Sequence, residues 1–132
     1  MGLFGIKSND TVKGSGVVSW LKTADKAYNY ALSTHTLQGL SKYFEGNAST
    51  YIIDYVSSNK REHQGLDRYR HVEFKLDKSD GRVATYLKIV TYDNVKLQYG
   101  ISVPVGDAYT EQWTVTKVSG VLKVCAIKRV FV

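Results

Sequence analysis

From Val17 the chain takes up a helical rhythm. Val17, Trp20, Leu21, Ala24, Ala27, Tyr28, Ala31 and Leu32 recur at spacings of three and four, with Lys22, Lys26 and Asn29 falling opposite. That is one apolar face of a helix of about four turns. Small alanines in the stripe let a sheet approach the helix axis closely, and Trp20 and Tyr28 supply the bulky contacts. A short second helix is expected from Thr36, with Leu37, Leu40, Tyr43 and Phe44 apolar and Gly46-Asn47 ending it. Ser49 is then a candidate cap for a third helix through Ile52, Ile53 and Val56. Thr50-Tyr51-Ile52-Ile53 reads equally well as a strand, so residues 49–58 stay open between the two. Ahead of all this, residues 1–16 place Gly2, Gly5, Gly14 and Gly16 among Ser, Asn and Asp, the composition of a flexible leader. Residues 17–132 read as a single domain.

The second half alternates with period two. Val72, Phe74 and Leu76 alternate with His71, Glu73 and Lys75, and the loop Lys78-Ser79-Asp80-Gly81 leads into a long strand from Arg82 to Thr91. Val95, Leu97, Tyr99, Ile101 and Val103 alternate with Lys96, Gln98, Gly100 and Ser102 until Pro104 and Gly106 end the run. Tyr109 to Val118 and Val121 to Val132 form a last pair about Ser119-Gly120. Strands of about nine or ten residues exceed the usual five or six, and long strands twist and curl around something. The expected fold is therefore α+β, with N-terminal helices packed in the concave face of a long, curved antiparallel sheet.

Register follows from the turns. A loop Tyr92-Asp93-Asn94 pairs Ile89 with Leu97, Leu87 with Tyr99 and Thr85 with Ile101, with Val83, Thr85, Leu87 and Ile89 inward and Tyr86 opposite Gly100 outside. A two-residue turn at Ser119-Gly120 opposes Val118 to Val121, Val115 to Val124, Trp113 to Ala126 and Glu111 to Lys128. Trp113 then belongs to the concave face, with Glu111 and Lys128 as a charged pair at its open end.

Composition narrows the class without choosing a function. The chain has 132 residues, is 43% hydrophobic and 23% charged, and carries a net charge of +6, values of an ordinary globular domain. No apolar run approaches the roughly 20 residues of a membrane span. MGLFG lacks the Ser or Thr that a myristoylation signal needs at position six, where Ile6 stands, and Lys7 to Asp10 cut short any secretory apolar stretch. The lone Cys125 excludes an internal disulfide framework or a thiolate zinc cluster and fits a reducing, cytoplasmic setting. Without a secretion signal, Asn47-Ala48-Ser49 is a sequon by coincidence.

Helices followed by a long antiparallel meander, closing on Glu111-Gln112-Trp113-Thr114-Val115 and Gly120-Val121-Leu122-Lys123-Val124, resemble the nuclear transport factor two-like (cystatin-like) cone. That superfamily includes polyketide cyclases, ketosteroid isomerases, import-motor tail domains and secretion-system assembly proteins, and the resemblance spans residues 17–132. It implies a helix-filled cone. Its isomerase-like members place an acidic base and a tyrosine inside the cone, where this sequence puts apolar mid-strand positions.

Catalytic signatures do not appear: the sequence has no HExxH, GxSxG, CxxC or phosphate-binding glycine loop. Cys125 lies in an expected strand and reads as a packed thiol. His63 and His71 are not at a metal-ligand spacing, and His35 sits at a helix end. No catalytic residue, metal ligand or cofactor is assigned. The densest basic cluster, Lys60, Arg61, Arg68 and Arg70 with His63 and His71, is diluted by Glu62 and Asp67, which argues against nucleic acid as the partner.

Two functions remain. The first is a non-catalytic binding or assembly module, a homodimer or the receiver of a protein partner through the outer sheet face, where Tyr86, Lys88 and Val90 are the interface candidates beside Ala84. The second is a small-molecule enzyme of the cyclase or isomerase kind, taking a small apolar ligand at the open end of the cone. Its pocket candidates are Trp20, Tyr28, His35, Tyr99, Glu111, Trp113 and Lys128, with Glu111 or His35 as acid or base.

Overall fold

The computed structural model describes residues 14–58 and 66–131. Helix α1 runs from Ser15 to Thr34, so it begins inside the expected leader; residues 1–13 lie outside the described residues. Val17, Leu21, Ala24, Tyr28, Ala31 and Leu32 are buried as the stripe requires. Asn29, expected on the solvent side, is buried too, and its amide donates to Asp67 Oδ1 at 2.6 Å. The helix stops at His35, whose left-handed backbone (φ 56°) lets its N–H close on Ala31 O.

The expected helix from Thr36 reduces to one 3-10 turn, Leu40–Lys42. Its extended continuation runs beside the edge of the sheet: Val124 N–H donates to Tyr43 O and Glu45 N–H to Val124 O, forming a parallel bridge at Phe44. The competing backbone partner on that edge outweighs the short amphipathic run. Gly46-Asn47 consequently opens a helix instead of ending one. Helix α2 spans Asn47–Ser58, settling residues 49–58 as helical, with Ala48, Ile52 and Val56 buried. Asn47 Oδ1 accepts from Ile127 N–H at 3.2 Å, tying the start of α2 to the sheet.

Both helices pack on a four-stranded antiparallel sheet of order β1 (Arg70–Ser79), β2 (Val83–Tyr92), β5 (Tyr109–Val118) and β6 (Val121–Val130). β3 (Asn94–Lys96) and β4 (Ser102–Pro104) form a separate two-stranded arm. The run from Val95 to Val103 is therefore not one long strand. Tyr99 and Gly100 both have positive φ (69° and 80°), and there the chain reverses. Ile89, Leu87 and Thr85, expected to face Leu97, Tyr99 and Ile101, instead face Thr110, Gln112 and Thr114 of β5 on one side. On the other side β1 supplies Glu73, Lys75 and Lys78. Tyr86 lies between Leu76 and Trp113, not opposite Gly100.

The larger correction concerns which face of β2 points in. Ala84, Tyr86, Lys88, Val90 and Tyr92 are buried on the inner face, Ala84 and Tyr86 in the main core with the helices and Val90 and Tyr92 in a second cluster with Tyr109, while Val83, Thr85, Leu87, Ile89 and Thr91 point away. Thus Tyr86, Lys88 and Val90, the outer-face interface candidates, are core residues at 1%, 0% and 0% exposure. The two sets are similar in apolar content, so volume and charge decide. The inward set places the Tyr86 ring beside Trp113 and gives Lys88 two carboxylates. The aliphatic set would leave both carboxylates without that cation.

The closing hairpin holds its expected register only as far as Val115 opposite Val124. A bulge between Thr114 and Val115 then shifts the pairing by one residue. Trp113 faces Ile127 rather than Ala126, and Glu111 faces Arg129 rather than Lys128. Trp113 remains inward, fully buried at the centre of the core, stacked on Tyr28 and edge-on to Phe44 and Phe74.

Candidate functional site

The feature that distinguishes this molecule is a set of charges inside the sheet–helix interface. Asp25 and Tyr28, three residues apart, share the buried face of α1. Tyr51 and Tyr55 project from α2. Tyr109, Glu111 and Trp113 alternate on the inward face of β5, where Glu111 lies directly opposite Lys88 of β2 and Arg129 of β6.

Lys88 is the hub. Its Nζ lies 2.7 Å from Asp25 Oδ1 and 3.2 Å from Glu111 Oε1, with the side chain fully buried. The rings of Tyr28, Trp113 and Tyr109 surround the ammonium at 4.1, 5.0 and 5.2 Å from their centroids. Asp25 also receives both arms of the Arg70 guanidinium, at 2.6 and 3.0 Å, the two-pronged geometry that suits arginine to carboxylates. Glu111 accepts from Tyr28 and Tyr51 on Oε2, at 2.7 and 2.8 Å, and from Trp113 Nε1 on Oε1, at 3.1 Å.

Ionisation follows from these contacts. Burial opposes charge on Lys88, but Asp25 and Glu111 outweigh it and hold the ammonium above its ordinary pKa. Burial likewise pushes Asp25 and Glu111 up, and Lys88, Arg70 and the hydrogen bonds bring both below their ordinary values. Burial, followed by the Glu111 charge, drives Tyr28 well above its own, so it stays a phenol. A protonated lysine is no nucleophile, and a carboxylate already holding three hydrogen-bond donors and an ammonium has no lone pair turned to a substrate. The cluster acts as an electrostatic clamp joining α1, α2, β1, β2 and β5.

Of the expected pocket residues, Tyr28, Glu111 and Trp113 meet in this clamp. The other four lie elsewhere. Trp20 is half-buried against Tyr43, His35 terminates α1, and Tyr99 is 96% exposed on the β3–β4 arm. Lys128 points outward, exposed and paired with Gln112, because the bulge carries it to the opposite face. Asp25, Tyr109 and Arg129 are not among the expected site residues; Arg70 is expected only within the basic cluster, and Tyr51 and Tyr55 only among the tyrosines able to line a cone or pack its core. Asp25 sits four residues after Leu21 within the helical stripe, and Arg129 is fixed inward only by the bulge.

Other candidates resolve as follows. Burial raises the Cys125 thiol, whose Sγ lies 3.6 Å from Thr114 O at the bulge. Of the basic cluster, Arg70 is committed to Asp25, Arg68 stacks on Tyr69, and Lys60, Arg61 and His63 lie outside the described residues. Among the described residues, no three His, Cys, Asp or Glu side chains are grouped to hold a metal. No described helix is long and apolar enough to cross a membrane.

A cleft of about 380 Å3 opens where Tyr55, Tyr92, Val105, Asp107, Tyr109 and Arg129 meet, at one end of the clamp. Comparison with protein-family models, curated proteins and solved structures finds no match for the chain. The fold and the site define an α+β domain with a helix-covered antiparallel sheet and an ionic core.

Proposed function

We propose that the protein is a non-catalytic assembly module that pairs with a second copy of itself through the outer face of the sheet. The observation that supports this is the distribution of charge on that face. Nine outward positions of the two central strands, Val83, Thr85, Leu87, Ile89 and Thr91 on β2 with Thr110, Gln112, Thr114 and Thr116 on β5, include no charged residue. In a chain that is 23% charged, this is a marked depletion. Charges lie on the flanking strands, with His71, Glu73 and Lys75 on β1 and Lys128 on β6. One carboxylate reaches inward, that of Asp77, held by Thr85 Oγ1 and Gln112 Nε2 at 3.1 and 3.2 Å. Central strands that carry no outward charge of their own, reached by the hydrogen-bonded Asp77 carboxylate and bordered by a mixed-sign rim, resemble the anatomy of a protein interface. It also suits a twofold contact, where the same patch must tolerate itself.

Turnover of a substrate is the weaker reading, since of its two acid or base candidates Glu111 is fully buried and saturated with donors and His35 ends α1 rather than lying in the clamp. Assembly is also a role that the resemblance to the nuclear transport factor two-like cone implies for some of its members. A reducing compartment such as the cytoplasm accords with the free Cys125.

Sedimentation velocity across a concentration series tests the proposal. A dimer that Leu87→Glu converts to monomer with an unchanged melting temperature is the expected result. A wild-type protein that stays monomeric at high concentration overturns it.

A further inference from the structure

We propose that the cleft beside the clamp binds a small organic monocarboxylate, with Arg129 as its anchor. Cations outnumber carboxylates around the clamp. Three cations, Arg70, Lys88 and Arg129, gather around two carboxylates, Asp25 and Glu111. Asp25 is shared by Arg70 and Lys88, and Glu111 pairs with Lys88. Arg129 has no carboxylate among the described residues within 4.0 Å.

Among the described residues, what Arg129 touches is neutral. Nη2 donates to Tyr55 Oη at 3.3 Å, the Tyr51 hydroxyl is a second oxygen neighbour, and the guanidinium lies 4.6 Å from the centre of the Tyr109 ring. Of the five N–H donors of a guanidinium, Nε–H of Arg129 is buried with no acceptor among the described residues. A buried donor left unmet carries a desolvation cost that an acceptor would relieve. The cation borders the cleft of about 380 Å3, near the small end of ligand pockets.

The walls choose the ligand class. The rings of Tyr55, Tyr92 and Tyr109 and the Val105 side chain suit an aromatic or short aliphatic body. The Tyr92 hydroxyl is buried in a residue only 9% exposed, with the Arg70 guanidinium as its polar neighbour. Asp107 stands exposed at the rim. Its negative charge disfavours phosphate and other multiply charged anions, while one carboxylate held by Arg129 leaves the body of the ligand against the rings.

Benzoate, its neutral isostere benzamide and inorganic phosphate are the probes, titrated into the full chain at neutral pH and followed by calorimetry and by amide NMR shifts. Saturable benzoate binding at least about 10-fold tighter than benzamide or phosphate is expected, with Arg129→Gln weakening benzoate at least about 10-fold. Val105→Trp, which fills the cleft from its edge, should abolish binding, and it decides the matter if Arg129→Gln does not fold. Equal binding of benzamide, tighter binding of phosphate, or benzoate binding that survives Val105→Trp overturns the proposal. None of these results depends on whether the outer face pairs.

Discussion

Replacing Lys88 with methionine removes the hub of the clamp while keeping the length and apolar volume of the side chain. At an effective dielectric near 20, the contacts at 2.7 and 3.2 Å carry roughly 6 and 5 kcal/mol of gross attraction. Desolvation of several kcal/mol per ion offsets much of that. Asp25 keeps both arms of Arg70. Glu111 keeps three hydrogen bonds but loses its cation, so the damage concentrates there. Breaking a buried pair from one side typically costs about 3–5 kcal/mol, and with Asp25 still served the expectation is the lower end, about 3 kcal/mol at neutral pH. A signature in pH accompanies it. With Lys88 gone, burial dominates at Glu111 and its folded pKa rises above the unfolded value, so protonation favours the folded state and stability should increase as pH falls from about 7 to about 5. Urea unfolding followed by tryptophan fluorescence at the two pH values measures both effects. A loss below about 1 kcal/mol with no pH trend would refute the clamp as the organising interaction of the core.

Tyr28→Phe should cost about 1.5–3 kcal/mol, the range for a hydrogen bond to a charged group, measured by the same unfolding curves. Phe44→Ala, which empties a fully packed contact with Trp113 and loosens the strap on β6, should cost about 3–5 kcal/mol, and faster exchange of the Val124 amide should report the freed edge. In the wild-type protein Asp25 and Glu111 are depressed below their ordinary 3.8 and 4.5, so the stability they contribute is present above those values and lost as pH falls through their lower folded ones. Lys88 is raised above 10.5, so its contribution is complete below that and lost only as pH climbs through its higher folded value; Tyr28 and Tyr51, raised above 10.0, set the earlier limit, so the ionic core should contribute a flat stability between about pH 4.5 and 10, checked by melting temperatures across the range.

Much of the scaffold could be read from periodicity, because Leu21, Ala24, Tyr28 and Leu32 repeat on a helix and Tyr109 to Val118 alternate as a strand whatever they pack against. What periodicity could not supply was direction. In β2 both faces are largely apolar, and choosing the aliphatic one sent Lys88 outward. The decisive information, two carboxylates on α1 and β5 able to neutralise that lysine, is non-local and does not appear in any window around residue 88. The bulge at Thr114 and Val115 is similarly silent: one extra residue exchanged Lys128 for Arg129 opposite Glu111, and with it moved the candidate ligand contact to a different side chain. The alternating run from Val95 to Val103 failed for a third reason, since Tyr99 and Gly100 turn the chain back within it.

The inverted strand links the core to the surface. A one-residue slip of β2 would place Leu87 and Ile89 inside and Lys88 outside, a choice that apolar counting alone does not penalise. Such a slip separates Lys88 from Asp25 and Glu111 together, leaving Glu111 without a cation and Asp25 with Arg70 alone, so the clamp selects the register more strongly than it adds net stability, the role best attested for buried polar groups. The same selection leaves Leu87 and Ile89 on the open face among threonines, because the charges of these two strands have been drawn inward. Central strands without outward charges of their own are thus the direct counterpart of a charged interior. The ionic core and the candidate assembly surface are two sides of one alternating strand.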